Sequence, residues 1–350
     1  MLFLLTAAVF LGQPQHGDVR MNQIQIVGTH NSYHAGLAPE EMELLRRNNP
    51  QAAASLAYQH PPLEAQLNAG VRKIELDVFG DSKGGLFTDP RYVREAGTTM
   101  PQGWLEAMRK PGFKVLHVQD VDVRSHCWTF IACLETVRKW SDANPGHLPL
   151  YIFVENKMER VPEPVTSASM DALDAEIRSV LPPSKLVTPD DIRGKHKTLE
   201  EAVRKQGWPK LRWARGRIVF LLDQERVTPL YTAGAHASLK GRVMFTNSKP
   251  GTPDAAFVKV NDPASPAIPG LVKQGYLVRT MTDGGAQSVR EGLTARRDQA
   301  IASGAQILST DYPFDWKAAG SGYHVSLPGG AKARCNPVNA PPGCTLAAPF

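Results

Sequence analysis

The chain has 350 residues, 42% hydrophobic and 21% charged, with 40 Lys+Arg against 34 Asp+Glu for a formal net charge of +6. Apolar content this ordinary excludes global disorder, and the 29 Gly and 28 Pro show no collagen-like period. Basic residues are scattered, as in Arg46-Arg47 and Arg296-Arg297, without zinc-finger spacing, RNP aromatics or basic heptads, so no nucleic-acid partner is expected.

In chain order, Leu2 to Leu11 is an apolar run followed by polar Gln13-Pro14-Gln15-His16. It reads as a signal peptide over 1–16, although it lacks a basic n-region; a buried first strand is the competing reading. No later run approaches the ~20 residues of a membrane span, so no transmembrane helix is expected in the mature chain. Strands are predicted at Gln25–Gly28, Lys73–Val78, Lys114–Val118, Leu150–Glu155, Arg217–Leu222, Val243–Thr246, Leu277–Met281 and Gln306–Ser309. Helices are predicted at Leu63–Ala69, Trp128–Ala143, Met170–Leu181, Leu199–Lys205, Leu271–Gln274 and Ser288–Ser303. This alternation predicts an α/β fold closed into a (β/α)8 TIM barrel, a single domain over 17–319 with a C-terminal extension at 320–350. An open doubly wound sheet would want a Gly-rich phosphate turn after its first strand, and Gly28-Thr29-His30-Asn31 is not one. Ala35–Pro62, Phe79–Gly112 and Lys249–Pro269 read as inserted loops.

Four cysteines allow three pairings; the local bridges Cys127–Cys133 and Cys335–Cys344 are favoured over reduced core thiols. Neither pair has the CxxC spacing of a zinc or thioredoxin-type site. An even count behind a signal-like opening points to an oxidising compartment, secreted or periplasmic.

The informative residues stand at strand ends. His30 and Asn31 follow the first strand, Glu75 and Asp77 share one face of the second, His117 ends the third and Glu155 the fourth. Singly, each has an ordinary explanation, such as a turn His or a carboxylate paired with Arg72 or Lys73. Together they predict one cavity with four hard oxygen donors, Asn31, Glu75, Asp77 and Glu155. That set suits Ca2+, with Mg2+ a poorer fit, and leaves two imidazoles for proton transfer. Such a site equips a protein for phosphodiester cleavage.

Gly28-Thr29-His30-Asn31-Ser32-Tyr33, Glu75-Leu76-Asp77, His117 and Glu155-Asn156-Lys157 together resemble the phosphatidylinositol-specific phospholipase C catalytic domain, most nearly its calcium-dependent secreted bacterial type. The resemblance runs from about Ile24 to Tyr312. It implies a phosphoric diester hydrolase with Ca2+ on Asn31, Glu75, Asp77 and Glu155 and a catalytic pair of His30 and His117. It also implies cleavage of a phospholipid to diacylglycerol and a cyclic inositol phosphate. His30 is assigned to the nucleophile side and His117 to the leaving oxygen, with a share for Glu75 or Glu155 left open. Lys157 and Arg279 are candidate substrate-binding residues; Arg279 has pairing with a barrel carboxylate as its alternative. Asp311 is a candidate partner orienting His30. His34, His60 and His126 read as loop residues. Trp104 and Phe113 are candidate rim residues for a transient membrane-surface contact. The rival enzyme is a glycerophosphodiester phosphodiesterase or phospholipase D on a related barrel, whose second His follows Glu-x-Asp much sooner than His117 follows Asp77. A non-catalytic lipid-binding barrel would be expected to have lost His30 or His117.

Overall fold

The computed structural model describes residues 19–159 and 161–348; the signal-like segment 1–16 lies outside the described residues. Among the described residues, eleven strands form one sheet: β1 (Ile24–Thr29), β2 (Lys73–Phe79), β3 (Lys114–Val115), β4 (Leu150–Asn156), β5 (Leu186–Val187), β6 (Ile218–Leu222), β7 (Met244–Thr246), β8 (Phe257–Lys259), β9 (Leu277–Met281), β10 (Ile307–Thr310) and β11 (Ala333–Cys335). Parallel pairing runs β1-β2-β4-β6-β7 and β8-β9-β10-β1. A parallel bridge from Asn247, just past β7, to Phe257 closes the ring. The staves are therefore β1, β2, β4, β6, β7, β8, β9 and β10, a (β/α)8 barrel as expected.

One predicted stave and one predicted insert need correction. Lys114–Val118 shrinks to the two-residue β3, which pairs antiparallel with the end of β2, Val78 opposite Val115, and lies outside the ring. The true eighth stave is β8, inside the expected insert Lys249–Pro269. Its three residues sit between Pro-, Gly- and Asp-rich stretches that mask the strand signal. Glu155 consequently stands on the third stave, not the fourth.

β2 shows how the sequence builds the barrel. Successive side chains of a strand face opposite ways, so Ile74, Leu76 and Val78 share one face and Lys73, Glu75 and Asp77 the other. All seven residues are buried, as expected of a parallel stave covered by helices. The apolar face packs outward against helices such as Phe130–Ala143 and Ser167–Val180, which bury Leu134, Val137, Leu173 and Ile177 completely. Each such side chain contributes roughly 1.5–3 kcal/mol of hydrophobic stabilisation. The first of these helices starts on Thr129, whose side chain accepts from the Ala132 amide, and is tied to the preceding loop by Cys127–Cys133.

The other face of β2 puts charge in the barrel interior. Lys73 is fully buried, its Nζ bonded to Glu75, the Thr29 carbonyl and Ser309 Oγ. Its stem passes β1 at Gly28, where any Cβ would lie 2.3 Å from the Lys73 Cβ. Arg279 of β9 completes the cluster, with Nη2 3.6 Å from Glu75 and 3.1 Å from Ser309 Oγ. Removing one partner of such a buried group costs about 3–5 kcal/mol. Arg72 points away from this cluster, to the Leu67 and Val71 carbonyls.

The residues beyond 320 fold back onto the barrel. β11 pairs antiparallel with the start of β1, Ile24 opposite Cys335, and Cys335–Cys344 ties the tail to itself. Among the described residues, no helix is long and apolar enough to cross a membrane.

Candidate active site at the barrel mouth

The C-terminal ends of β1, β2 and β4 bring the predicted residues to one mouth. The His30 amide donates to the Thr310 carbonyl, and the Ser32 amide to the Glu75 carbonyl, while Ser32 Oγ accepts from the Glu75 amide. These bonds clamp the turn between β10 and β2. Asn31, within it, takes a left-handed φ of 44°, a conformation Asn tolerates better than most residues. Its Nδ2 donates to the Tyr58 hydroxyl, which leaves Oδ1 buried and without a partner.

Asp77 and Glu155 are direct neighbours in the β2–β4 register. Like charges facing each other across strands are destabilising unless a cation lies between them. One ligand atom from each of Glu75, Asp77 and Glu155 lies within 4.8 Å of the others. Asp77 is fully buried and neither of its oxygens accepts a hydrogen bond, although Oδ2 is 2.7 Å from Lys157 Nζ. Burial and the Glu155 charge push its carboxyl up to about 6. Three clustered carboxylate oxygens, with the orphaned Asn31 amide oxygen at the end of the neighbouring stave, are a hard-oxygen donor set, so these residues fit Ca2+.

Each imidazole has its own carboxylate. His30 Nδ1 donates to Asp311 Oδ1 at 3.0 Å, and its Nε2 is 3.7 Å from Glu75. Burial works against the imidazolium, but Asp311 and Glu75 outweigh it and push His30 up to about 9. Asp311 is held from behind. Its amide donates to Asp283, which also accepts from Thr282, Thr310 and, in the tail, the Tyr323 hydroxyl at 3.0 Å.

His117 arrives differently from the strand-end position expected. β3 turns the chain back antiparallel to β2, and His117 stands in the loop beyond it, bridged by its amide to the Asp122 carbonyl. Its Nδ1 donates to Asp122 Oδ2 at 2.9 Å. The same carboxylate accepts from His34 Nε2, and both side chains are fully buried. Burial would raise Asp122, but the hydrogen bonds from His117 and His34 hold it at about 2.

Sequence reasoning missed this support. His34 and His60, expected as plain loop residues, are buried under the mouth; His60 Nε2 donates to the His30 carbonyl at 2.7 Å, and His34 packs on Tyr58 at 4.6 Å. The available signal was the run Gln119-Asp120-Val121-Asp122 just after His117. His126 is the exposed loop residue expected, donating to the His60 carbonyl. Arg279, 4% exposed, follows its second reading and pairs with Glu75 inside the barrel. Lys157 joins Asp77 and also lies 2.9 Å from Glu155. Trp104 and Phe113 are buried, so neither forms a rim. The exposed large apolar side chains on segments that follow strand ends are Leu86, Leu105, Val118 and Leu293.

Two cavities are lined by residues that surround this mouth. One of about 480 Å3 is lined by Phe79, Arg91, His117, Lys157 and Glu159. The other, about 460 Å3, is lined by Ser55, Met281, Asp283, Arg290, Asp311 and Tyr312.

The family model for Ca2+-dependent phosphoinositide phospholipase C matches residues 19–337. A solved calcium-dependent phosphoinositol-specific phospholipase C from Pseudomonas sp, described as a myoinositol complex, superposes with a TM-score of 0.58 at 14% identity, covering 92% of this chain and 97% of that one. A Ca2+-dependent phosphatidylinositol-specific phospholipase C from Streptomyces antibioticus gives 0.55 at 19% identity, covering 84% and 95%. At these identities the likeness shows a shared fold. No curated protein matches the chain.

Proposed function

Given that this chain belongs to the Ca2+-dependent phosphoinositide phospholipase C family, we propose that it cleaves phosphatidylinositol-type lipids to diacylglycerol and a cyclic inositol phosphate. The observation that carries this reading is the cluster of Glu75, Asp77 and Glu155, with the partnerless Asn31 oxygen, set among two carboxylate-held imidazoles. Asn31, Glu75, Asp77 and Glu155 would hold the ion. Bound Ca2+ supplies positive charge that offsets the phosphate oxygens and acidifies a nearby hydroxyl.

The chain's own residues do the rest. His30 lies on the ligand side, next to Asn31 and 3.7 Å from Glu75. With the Glu75 charge engaged by the ion, one of the two charges that keep this imidazole protonated would be withdrawn, and the neutral ring would take the proton of the inositol 2-hydroxyl as it attacks phosphorus. His117 gives a proton to the diacylglycerol oxygen as its bond to phosphorus breaks. Asp311 and Asp122 fix the ring tautomers, each accepting from Nδ1 and leaving Nε2 toward the substrate. Water later opens the 1,2-cyclic phosphate with the two roles reversed. Arg279 and Lys73 act through Glu75, keeping it ionised and aimed. Leu86, Leu105, Val118 and Leu293 would touch the lipid surface, and the two disulfides suit export to an oxidising compartment.

The test is to incubate the protein with phosphatidylinositol vesicles and with glycerophosphocholine, with Ca2+ and with a chelator. Cyclic inositol phosphate seen by phosphorus NMR only with Ca2+ is the expected result. Choline or glycerol phosphate from the second substrate, or equal turnover in chelator, overturns the reading.

A further inference from the structure

Two lysines reach the three carboxylates, and they are held very differently. Lys73 is locked beneath the site with no exposure and with Thr29 and Ser309 as further partners. Lys157 is fixed only at its backbone, where its amide donates to the Val78 carbonyl. Its ammonium lies 2.7 Å from Asp77 Oδ2 and 2.9 Å from Glu155 Oε1, and its side chain is 19% exposed. It also forms part of the wall of the 480 Å3 cavity shared with His117.

We propose that Lys157 is a built-in counter-cation, which balances Asp77 and Glu155 while the metal is away and turns to the substrate phosphate once the metal takes those oxygens. This rests on the metal reading above. A hard divalent ion needs carboxylate oxygens at about 2.3–2.6 Å. Asp77 and Glu155 each already have one oxygen against the ammonium, and two cations crowded on the same pair of carboxylates repel. Lys157 has a flexible four-carbon stem, so its head can leave while its backbone stays in the β2–β4 ladder. The cavity beside it opens on His117, the residue placed at the leaving oxygen, and an ammonium there meets the phosphate as a point charge. Lys73, with no cavity to enter, cannot make this move.

The exchange has a thermodynamic signature independent of turnover. Ca2+ must displace Lys157, so wild-type protein binds the ion more weakly than a variant without the ammonium. Without Ca2+, the same variant leaves Asp77 and Glu155 uncompensated and melts at lower temperature. Calorimetric titration of metal-free protein with Ca2+, and melting with and without the ion, test this in wild type, Lys157→Met and Lys157→Gln. The expected result is at least tenfold tighter Ca2+ binding in Lys157→Met, with a lower melting temperature in chelator that saturating Ca2+ restores. Turnover at saturating Ca2+ falls about 100-fold, the loss expected when one fixed charge on the reacting phosphate is removed. Lys157→Gln, which keeps a donor near both carboxylates, carries the test if Lys157→Met fails to fold without the ion. Equal or weaker Ca2+ binding in the variants overturns the role of Lys157 alone. Wild-type protein that binds no Ca2+ at millimolar concentration overturns the metal reading and this role with it.

Discussion

The two imidazoles at the mouth rest on contrasting supports. His30 hangs from the ring itself: its amide extends the β1–β10 ladder, and its carboxylate partner follows β10. Asp311 is partly exposed and serves His30, with Asp283 and Tyr323 behind it. His117 stands on a loop outside the ring, and its partner Asp122 is fully buried and divided between two histidines. The barrel side thus separates orientation from folding: Asp311 aims an imidazole, while the strands hold the backbone. On the loop side one carboxylate does both, because Asp122 also pins the buried His34 that helps knit Tyr33–His34 to Ser125.

Breaking both sides at the imidazole should give the largest and most equal effect. His30→Ala and His117→Ala are each expected to lower kcat on phosphatidylinositol by about 10²–10⁴-fold while leaving the circular dichroism unchanged. Near-normal rates in either variant would remove that residue from the mechanism.

Moving one shell out should split the two sides. Asp311→Asn is expected to lower kcat about 10–100-fold with a small change in melting temperature, since its side chain is partly exposed. Asp122→Asn should lose activity and also about 1.5–3 kcal/mol of stability, because an amide cannot replace both charge-assisted bonds to His34 and His117. Matching urea midpoints for the two variants would erase the contrast.

The subtlest contrast, in pH dependence, carries opposite signs on the two sides. Asp122 is held at about 2, below its ordinary 3.8, so its contribution is present above pH 4 and fades as pH falls toward 2. Asp283 is pushed up to about 6 by burial and the Asp311 charge, so the folded state binds extra protons between pH 4 and 6. Ionised Asp283 therefore costs stability above pH 6, and acidification relieves the cost. Wild type should therefore gain stability relative to Asp283→Asn as pH falls from 6 to 4 in urea unfolding. A flat difference would show that Asp283 does not titrate there.

What the sequence made legible follows the same division. β1, β2 and β4 were readable because each is a largely apolar run with polar groups within it or at its C-terminal end, and in β2 the spacing of those groups is also the geometry. Glu75 and Asp77 share a face by period alone. The loop side was not readable in this way. Lys114–Val118 has a stave's composition, yet its last three residues leave the strand, Val118 bridging back to Asp122, and nothing local marks the chain reversal. Asp122, His34 and Tyr58 meet only through tertiary contacts over 24 to 88 positions, which no window of sequence displays. β8 was hidden because three residues carry too little pattern to stand out among Pro, Gly and Asp.

The ring has a seam. Most neighbouring staves share several paired residues, β2 and β4 six of them, and two junctions rest on one pair each. At β1–β2 the Gly28–Lys73 pair is reinforced by the Arg72 amide on the Val27 carbonyl, the Ser32 amide on the Glu75 carbonyl and the buried Lys73 ammonium on the Thr29 carbonyl. At β7–β8 the Asn247–Phe257 bridge has only the Asn247 side chain on the Lys259 amide to add. Cooperative units loosen first where backbone pairing is thinnest. Amide protons beside that gap should trade with deuterium ahead of those in β2 and β4, so the barrel would breathe on the wall opposite its carboxylates and keep its chemistry still.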